Sequence, residues 1–307
     1  MKLTNSGFQR GYNPIVVEGD ASDMNMDFGE LLMEKGDTVS YNEPKECIYV
    51  LVTGKVTFRW ADKEETVERK SCFHEDPILL HVPQNTAVEL MCQSDKAEVS
   101  IQRTTNPKHF EPKLMKGEDL LCGSELRGAG LMNEASTRIV RTFLDRSNCP
   151  ETNFFIGEVV SYPGKWSSFP PHTHVEPEIY FYKFLPENGY GYAEVGDTVY
   201  KVHHNDATCM AHGVTHSQAT APGYAEYYIW PSVCATTIPW LPRLYLNTPG
   251  WLKRTPSISR RSERGGNSGN VIGALFAQVQ KIARMQASFC PKAARGQDAG
   301  RGRLPGT

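Results

Sequence analysis

Short runs of β-branched and aromatic residues, separated by turn residues, fill the chain from about residue 14 to residue 235. Examples are "TAVELMCQ", "NFFIGEVVSY", "EIYFYKF" and "AEYYIWPSV", and turn signals such as Pro163-Gly164 and Pro222-Gly223 lie between such runs. Many short strands with few helical patterns predict an all-β sandwich or barrel. The runs are too numerous for one small barrel, so we expect two.

One long apolar stretch, "CIYVLVTGKVTFRW" (Cys47–Trp60), is interrupted by Thr53-Gly54. Two β-rich runs around a short Gly-containing break are typical of a β-hairpin. The sequence therefore predicts a hairpin that turns at Gly54.

The first half of the chain repeats the second in outline. In each half a turn-rich loop leads to a glutamate and a β-rich strand, and a tight turn follows later. This repetition predicts a duplicated barrel with its boundary in the polar, glycine-rich segment Lys116–Gly130. The predicted organisation is an N-terminal barrel (1–115), a C-terminal barrel (116–250) and a tail (251–307).

The tail differs from the rest of the chain in composition. From Trp251 to Thr307 it has 11 Lys and Arg but only 2 Asp and Glu, and much of it is rich in Ser and Gly. Such a basic, apolar-poor segment is expected to be largely disordered. Within it, the apolar spacing of Val271, Leu275, Val279 and Ile282 predicts one short helix.

The overall charge and the cysteines narrow the range of partners and compartments. A net charge of −2 gives no reason to expect nucleic acid or an anionic membrane as a partner, and no apolar run approaches the roughly 18–20 residues of a membrane span. The 8 cysteines are scattered without a CxxC pair, which is typical of reduced thiols in the cytosol. We therefore expect a cytoplasmic protein.

The stretch "KWSSFPPHTHVEPEIYFY" contains the strongest candidate site. Side chains alternate between the two faces of a strand, so His172 and His174 point the same way. Glu178 has the same parity, as do Tyr180 and Tyr182. A continuous strand would therefore place two imidazoles, a carboxylate and two phenols along one wall of a cavity.

His216, in the turn-forming sequence "GVTHSQ", is a fourth possible ligand. An HxH pair alone often binds no metal, but three histidines and one glutamate match the three or four donors that a divalent ion needs. The absence of a thiolate leaves Zn, Mn, Fe, Ni or Co as the options. His212 is a weaker candidate, because a turn separates it from His216.

The pieces "WSSFPPHTH", "EIYFY" and "GYGY" resemble the 5-deoxy-glucuronate isomerase family of inositol catabolism, within the cupin superfamily. They are also similar to a related family, the 4-deoxy-L-threo-5-hexosulose-uronate ketol-isomerases. The resemblance implies a bicupin with a divalent metal, Zn or Mn, in the C-terminal barrel. Tyr41-Asn42-Glu43 stands at the HxH position of the first half, which implies a metal-free N-terminal barrel. The ligands that the resemblance implies are His172, His174, Glu178 and His216.

The resemblance also implies the chemistry, an aldose–ketose isomerisation of a small sugar acid. Moving a carbonyl requires a group that shuttles a proton, for which Glu178, Tyr180 and Tyr182 are candidates. The carboxylate of the substrate requires a cation, and we expect Lys165 of the "GKWSS" loop to supply it. Other options for that cation are Arg127, Arg141 and Lys183. A homo-oligomer is possible, because cupin barrels commonly pair through exposed strands.

Three alternatives share the same ligands. The chain could act on the 4-deoxy-L-threo-5-hexosulose-uronate substrate instead. An iron site of three histidines and one glutamate could activate dioxygen. A non-catalytic bicupin could bind a sugar acid and use the metal only for stability.

Overall fold

A computed structural model describes residues 1–4, 7–20, 23–130 and 132–234, and the backbone of 243–244. These residues form strands and two 3-10 turns (Gly117–Asp119 and Met132–Glu134) but no α-helix, so the all-β prediction is confirmed for them. The strands of the first half are β1 (Lys2–Leu3), β2 (Gly11–Val16), β3 (Asp27–Glu34), β4 (Thr38–Asn42), β5 (Glu46–Trp60), β6 (Lys63–Arg69), β7 (Ile78–Val82), β8 (Ala87–Cys92), β9 (Lys96–Thr104) and β10 (Lys113–Lys116).

The second half continues with shorter and more evenly spaced strands. They are β11 (Cys122–Arg127), β12 (Arg138–Leu144), β13 (Phe154–Ser161), β14 (Trp166–Thr173), β15 (Glu178–Leu185), β16 (Tyr190–Val195), β17 (Thr198–His203), β18 (Ala207–Met210), β19 (His216–Thr220), β20 (Ala225–Val233) and β21 (Arg243–Leu244). The predicted helix of the tail lies outside the described residues, as does nearly all of the chain beyond residue 234.

Antiparallel sheets build both halves. In the first half nine strands form one sheet, with the order β10-β7-β5-β9-β3-β2 and with β4, β6 and β8 joined beside this path. In the second half a seven-stranded sheet (β1-β18-β15-β20-β13-β12-β11) faces a five-stranded sheet (β17-β16-β19-β14-β21). The predicted bicupin architecture is thus confirmed, while the boundary at residues 116–130 stays a prediction. β1 comes from the start of the chain but pairs with β18 of the second half.

The predicted hairpin at Gly54 is wrong. Cys47–Trp60 lies within one 15-residue strand, β5, which pairs with β7 and β9 before Gly54 and with β6 and β8 from there on. Gly54 has a φ of +104°, and a Cβ there would lie 2.6 Å from the backbone of Ala97. The glycine therefore lets the strand bend where it crosses between two sets of partners, rather than reverse.

Alternation along the central strands divides the apolar residues among three cores. Ile179 and Phe181 of β15 belong to a core that the two halves share, whereas Tyr180 and Tyr182 belong to a core inside the second barrel. A third core fills the first barrel. Both faces of these strands are buried, so each large sheet serves as one wall of its own barrel and as the surface against which the other barrel packs.

Buried charges also join the two halves. Glu158 of β13 accepts hydrogen bonds from Arg69 (2.6 Å), from Arg141 (2.7 Å) and from the hydroxyl of Tyr227 (3.0 Å). Arg69 comes from the first barrel, and neither its side chain nor that of Glu158 has any exposed surface. A paired and hydrogen-bonded carboxylate of this kind is needed to compensate two guanidinium groups that have lost their water.

Candidate metal centre

Strand ends bring the four predicted ligands together. His172 lies near the end of β14 and His174 follows that strand directly, while Glu178 begins β15 and His216 begins β19. His172 stands opposite His216 in the β14–β19 pair. Gly213, with a φ of +72°, forms the turn before β19, and its N–H donates to the carbonyl of His174 at 2.9 Å. This turn fixes His216 beside the HxH pair.

The side chains converge on one point. The ring centroids are 4.5 Å apart for His172 and His216 and 5.2 Å apart for His174 and His216. One nitrogen of each of the three rings lies within 4.8 Å of the others. Glu178 Oε2 lies 3.1 Å from Nε2 of His174 and 3.2 Å from Nε2 of His216. Two donors that share an ion at about 2.0–2.2 Å lie roughly 3–4 Å apart, so the contacts of Glu178 with His174 and His216 fit a shared ion, and the three histidine nitrogens lie close to this range.

Hydrogen bonds select the tautomer of each imidazole. Each Nδ1 lies against a backbone carbonyl oxygen, at 3.3 Å for His172 to Pro170, 2.8 Å for His174 to Glu176 and 3.1 Å for His216 to Val214. The N–H therefore sits on Nδ1, which leaves the Nε2 lone pair of each ring for a ligand. Nε2 of His216 is buried, with Oε2 of Glu178 at 3.2 Å, which is the arrangement expected of two donors that share a cation.

The electrostatics of the cluster suit a cation. Burial, together with the two neighbouring histidines, lowers the pKa of His172 to about 3. Burial alone would raise the pKa of the Glu178 carboxyl, but His174 and His216 lower it to about 2. Burial opposes protonation of His174 as well, but the Glu178 carboxylate raises its pKa. An ionised carboxylate among imidazoles forms a donor set that fits a divalent metal ion.

Tyr180 lies beside the cluster. Its ring centroid is 5.7 Å from that of His216, and its hydroxyl is 2.8 Å from Oγ of Ser168. Its ring stacks on Tyr228 with the centroids 4.5 Å apart. Burial raises the pKa of Tyr180 well above its ordinary value. The phenol is therefore neutral and can donate a hydrogen bond to an oxygen in the cavity.

Tyr182 faces the same interior but is already engaged. Its hydroxyl lies 2.7 Å from Oγ1 of Thr208 and donates to Oε1 of Gln218 at 2.8 Å. Burial raises the pKa of Tyr182 as well. These bonds tie β15 to β18 and β19, and they leave this phenol less available to a substrate than Tyr180.

Two other candidates lie apart from the cluster. Lys165 lies in the turn before β14, where its charge acts on Glu134. The side chain of His212 is exposed, and its Nδ1 contacts the carbonyl of Val175. The structure thus clusters His172, His174 and His216, with Glu178 beside the last two and Tyr180 beside His216, but it does not bring Lys165 into this group.

Two ionisable side chains inside the second barrel are not predicted from the sequence. Arg138 of β12 is buried and interacts electrostatically with Tyr228 and Tyr180. Glu226 of β20 is fully buried, and neither of its carboxyl oxygens has a hydrogen-bond partner. Only their positions along the strands could have indicated them. Arg138 lies two residues before Val140, and Glu226 two residues before Tyr228, so each shares a strand face with a residue of the core inside the second barrel.

The unpaired Glu226 carboxyl makes the stability of the fold depend on pH. Burial raises its pKa to about 8, and the titratable groups that face it are the phenols of Tyr182 and Tyr228. When folding raises the pKa of an acid, the free energy of unfolding falls as the pH rises from the unfolded pKa to the folded pKa. Between pH 6 and pH 9 we expect wild type to lose about 2–3 kcal/mol of stability relative to Glu226→Gln.

Urea unfolding of both proteins at pH 6 and pH 9 measures this difference. The same substitution at the exposed Glu187, in the turn between β15 and β16, is the matched control, and we expect its offset from wild type to be the same at both pH values. An equal offset for Glu226→Gln at the two pH values would contradict the prediction.

Comparison with known proteins assigns the chain to a family. The profile of the KduI/IolB family matches residues 3–238, which is more than half of the chain. The chain belongs to the KduI/IolB family. The family that the sequence motifs predict is thereby confirmed.

Two curated relatives and one solved structure are similar to this chain. A 5-deoxy-glucuronate isomerase of Halalkalibacterium halodurans is 29% identical over 235 residues, which cover 70% of this chain and 83% of the relative. The enzyme of that name from Bacillus subtilis strain 168 is 29% identical over 213 residues, covering 62% and 75%. The crystal structure of an IolB-like protein from Salmonella typhimurium LT2 has a TM-score of 0.70 at 20% identity and covers 79% of this chain and 95% of its own.

A more distant structure shares the fold alone. A mutant of Bacillus subtilis oxalate decarboxylase has a TM-score of 0.55 at 10% identity, with 76% of each chain covered. Within the part of the chain that the structure describes, no helix has the length and apolar character needed to cross a membrane.

Proposed function

We propose that this chain is a metal-dependent aldose–ketose isomerase that converts 5-deoxy-glucuronate into 2-deoxy-5-keto-gluconate in inositol catabolism. The observation that carries the proposal is the convergence of three Nε2 atoms and one carboxylate inside the second barrel. Relatives in the same family that bear the name 5-deoxy-glucuronate isomerase supply the substrate.

His172, His174 and His216 would hold the ion by their Nε2 atoms, and Glu178 by Oε2. When bound, the ion supplies a Lewis acid that stabilises negative charge on the oxygens of the reacting carbons. Zn or Mn is the proposed metal, because imidazole and carboxylate donors suit both. The fixed Nδ1 contacts keep the three rings oriented, so little reorganisation is needed when the substrate arrives.

The reaction also needs groups that move protons. Isomerisation removes a proton from a carbon next to the carbonyl and returns one to the neighbouring carbon. Glu178 is ionised, and it can act as the base only through the carboxylate oxygen that does not face the histidines. Tyr180 is the proposed hydrogen-bond donor to a substrate oxygen, because its phenol is protonated and lies beside His216. Tyr182 is the less suitable phenol, since two side chains already engage its hydroxyl.

Metal removal tests this proposal. Dialysis of the full chain against a chelator is expected to lower isomerase activity on 5-deoxy-glucuronate at least about tenfold, because the ligands alone cannot stabilise the developing charge. Adding back Zn or Mn should restore it, with about one metal per chain by elemental analysis. An NMR assay follows the substrate and product directly. Full activity in metal-free protein would contradict the proposal.

The nearest alternative is the 4-deoxy-L-threo-5-hexosulose-uronate ketol-isomerase reaction, since the sequence motifs resemble that family as well. Assaying both sugar acids side by side separates the two. A sugar acid that raises the melting temperature without turnover would instead favour a non-catalytic binding protein. An oxygen electrode would detect the dioxygen chemistry that iron with the same ligands could support.

We further propose that the enzyme works in the cytoplasm. Six cysteines of the described residues are free thiols, which fits a reducing compartment: Cys47, Cys72, Cys92, Cys149, Cys209 and Cys234. Association into a homo-oligomer remains a prediction, and gel filtration with light scattering would measure it.

A further inference from the structure

We infer that Arg138 binds the carboxylate of the substrate and thereby selects sugar acids over neutral sugars. Arg138 begins β12 and faces the interior of the second barrel, the space that also contains the metal centre. This inference rests on the proposed sugar-acid chemistry. Its test, however, measures binding and folding rather than turnover.

The guanidinium of Arg138 is buried and forms no ion pair with another described residue. The residue is 7% exposed, and its Nη1 donates to the carbonyl of Ser136 at 2.8 Å. Among the described residues it makes no ion pair, and the one carboxylate that attracts it, Glu125, is itself paired with Arg127. A guanidinium that gives up its water without such a partner is costly to the fold. A protein keeps such a group where an anion is to be bound.

The neighbouring strand increases this cost. Arg127 of β11 stands directly opposite Arg138, and the two positive charges repel each other. Like charges placed opposite one another destabilise a sheet. A bound carboxylate would relieve both the desolvation and the repulsion, so the pair is arranged for an anionic ligand.

The cations that the sequence offers for the substrate carboxylate already interact with carboxylates of the protein. These pairs are Arg127 with Glu125, Arg141 with Glu158 and Lys183 with Glu98, and Lys165 acts on Glu134. Arg141 and Lys183 also lie on the opposite parity of their strands, facing the first barrel. Arg138 is therefore the cation that is best placed to receive a substrate carboxylate.

Two phenols link the surroundings of Arg138 to the metal centre, and their hydroxyls can hydrogen-bond to a polyol. Tyr180 and Tyr228, which interact with Arg138, stack with their centroids 4.5 Å apart, and the Tyr180 ring lies 5.7 Å from that of His216. Oγ of Ser168 contacts both hydroxyls, at 2.8 and 3.3 Å. A six-carbon acid is roughly 7 Å long, given bonds of about 1.5 Å. One molecule could place its carboxylate at Arg138 and its other end toward the ligands.

The test compares two probes that differ at one carbon, D-glucuronate with a carboxylate and D-glucose with a hydroxymethyl group. Binding of each to the metal-loaded full chain is measured by calorimetry or ligand-observed NMR, for wild type, Arg138→Gln and Arg138→Lys. Arg59→Gln removes an exposed arginine of the first barrel and is the matched control. The melting temperature of every variant is recorded without ligand.

We expect Arg138→Gln to weaken D-glucuronate binding roughly 100-fold and to leave D-glucose binding unchanged, because only the former makes a charge-assisted bidentate contact. Arg138→Lys should retain part of the preference, since a point charge replaces the planar fork. The melting temperature of Arg138→Gln should equal or exceed that of wild type, because a buried unpaired charge is removed.

Two results would overturn the inference. One is an Arg138→Gln protein that keeps the wild-type preference for D-glucuronate, whether or not its melting temperature falls. The other is a wild-type protein that shows no preference at all. An Arg138-dependent preference in a chain that isomerises neither sugar acid would instead refute only the proposed function.

Discussion

Replacing His174 by alanine is expected to lower isomerase activity on 5-deoxy-glucuronate at least about 100-fold. Loss of the partner that orients a metal ligand typically costs about 10–100-fold, and loss of the ligand itself should cost more. His174 is buried, and its Nε2 lies 3.1 Å from Oε2 of Glu178. The alanine variant would leave this carboxylate without its nearest partner and the ion with one donor fewer.

Metal content and activity should fall together in this variant. Elemental analysis of His174→Ala is expected to show less than one metal per chain under conditions that saturate wild type. His203→Ala provides the matched control, because His203 is largely exposed on β17 and takes no part in the cluster. If the His174→Ala protein were folded and kept full activity, the four-ligand centre would have no role in the reaction.

Replacing Glu158 by alanine is expected to lower the free energy of unfolding by about 3–5 kcal/mol, because removing one partner of a buried ion pair leaves an uncompensated charge. In this protein the change would leave two buried guanidinium groups, those of Arg69 and Arg141, and the hydroxyl of Tyr227 without their shared acceptor. Arg69 would still donate to the carbonyls of Leu51 and Glu75, which offset only part of the loss.

Urea unfolding of the metal-loaded proteins measures the effect. Glu89→Ala removes a carboxylate of the first barrel that pairs with Arg59 at the surface, and it should cost less than about 1 kcal/mol. If the two substitutions cost the same, the buried cluster would contribute no more than a solvated pair. Retained isomerase activity in the folded fraction of Glu158→Ala would show that the cluster joins the barrels without shaping the site.

Much of the fold can be predicted from the sequence, because side chains in a strand alternate with a period of two and turn residues separate the strands. The same parity placed His172, Tyr180 and Tyr182 on one side, and the structure has both phenols inside the second barrel. The hairpin at Gly54 was misread, since a glycine that reverses a chain and a glycine that bends a strand look alike in a sequence. The structure tells them apart by the partners on either side.

Arg138 and Glu226 could not be predicted from the sequence, for a different reason. Both faces of β12 and β20 are buried, so the pattern of apolar residues does not indicate which face lines the cavity. In "TRIVR" the arginines at 138 and 141 have opposite parity, and only the order of the strands shows that Arg138 faces inward. Lys165 was the more obvious cation because it belongs to a recognisable loop, and its role in binding the carboxylate stays a prediction.

The core that the two halves share constrains how the sequence of such a protein can evolve. Ile179 and Phe181 of the second half pack in one apolar layer with Phe28 and Ile48 of the first. The first half has Tyr41-Asn42-Glu43 at the position of the HxH pair. Its loss would nevertheless expose the apolar residues of the second half that pack in this core. Substitutions that change the volume of this core in one half are therefore expected to require compensating substitutions in the other.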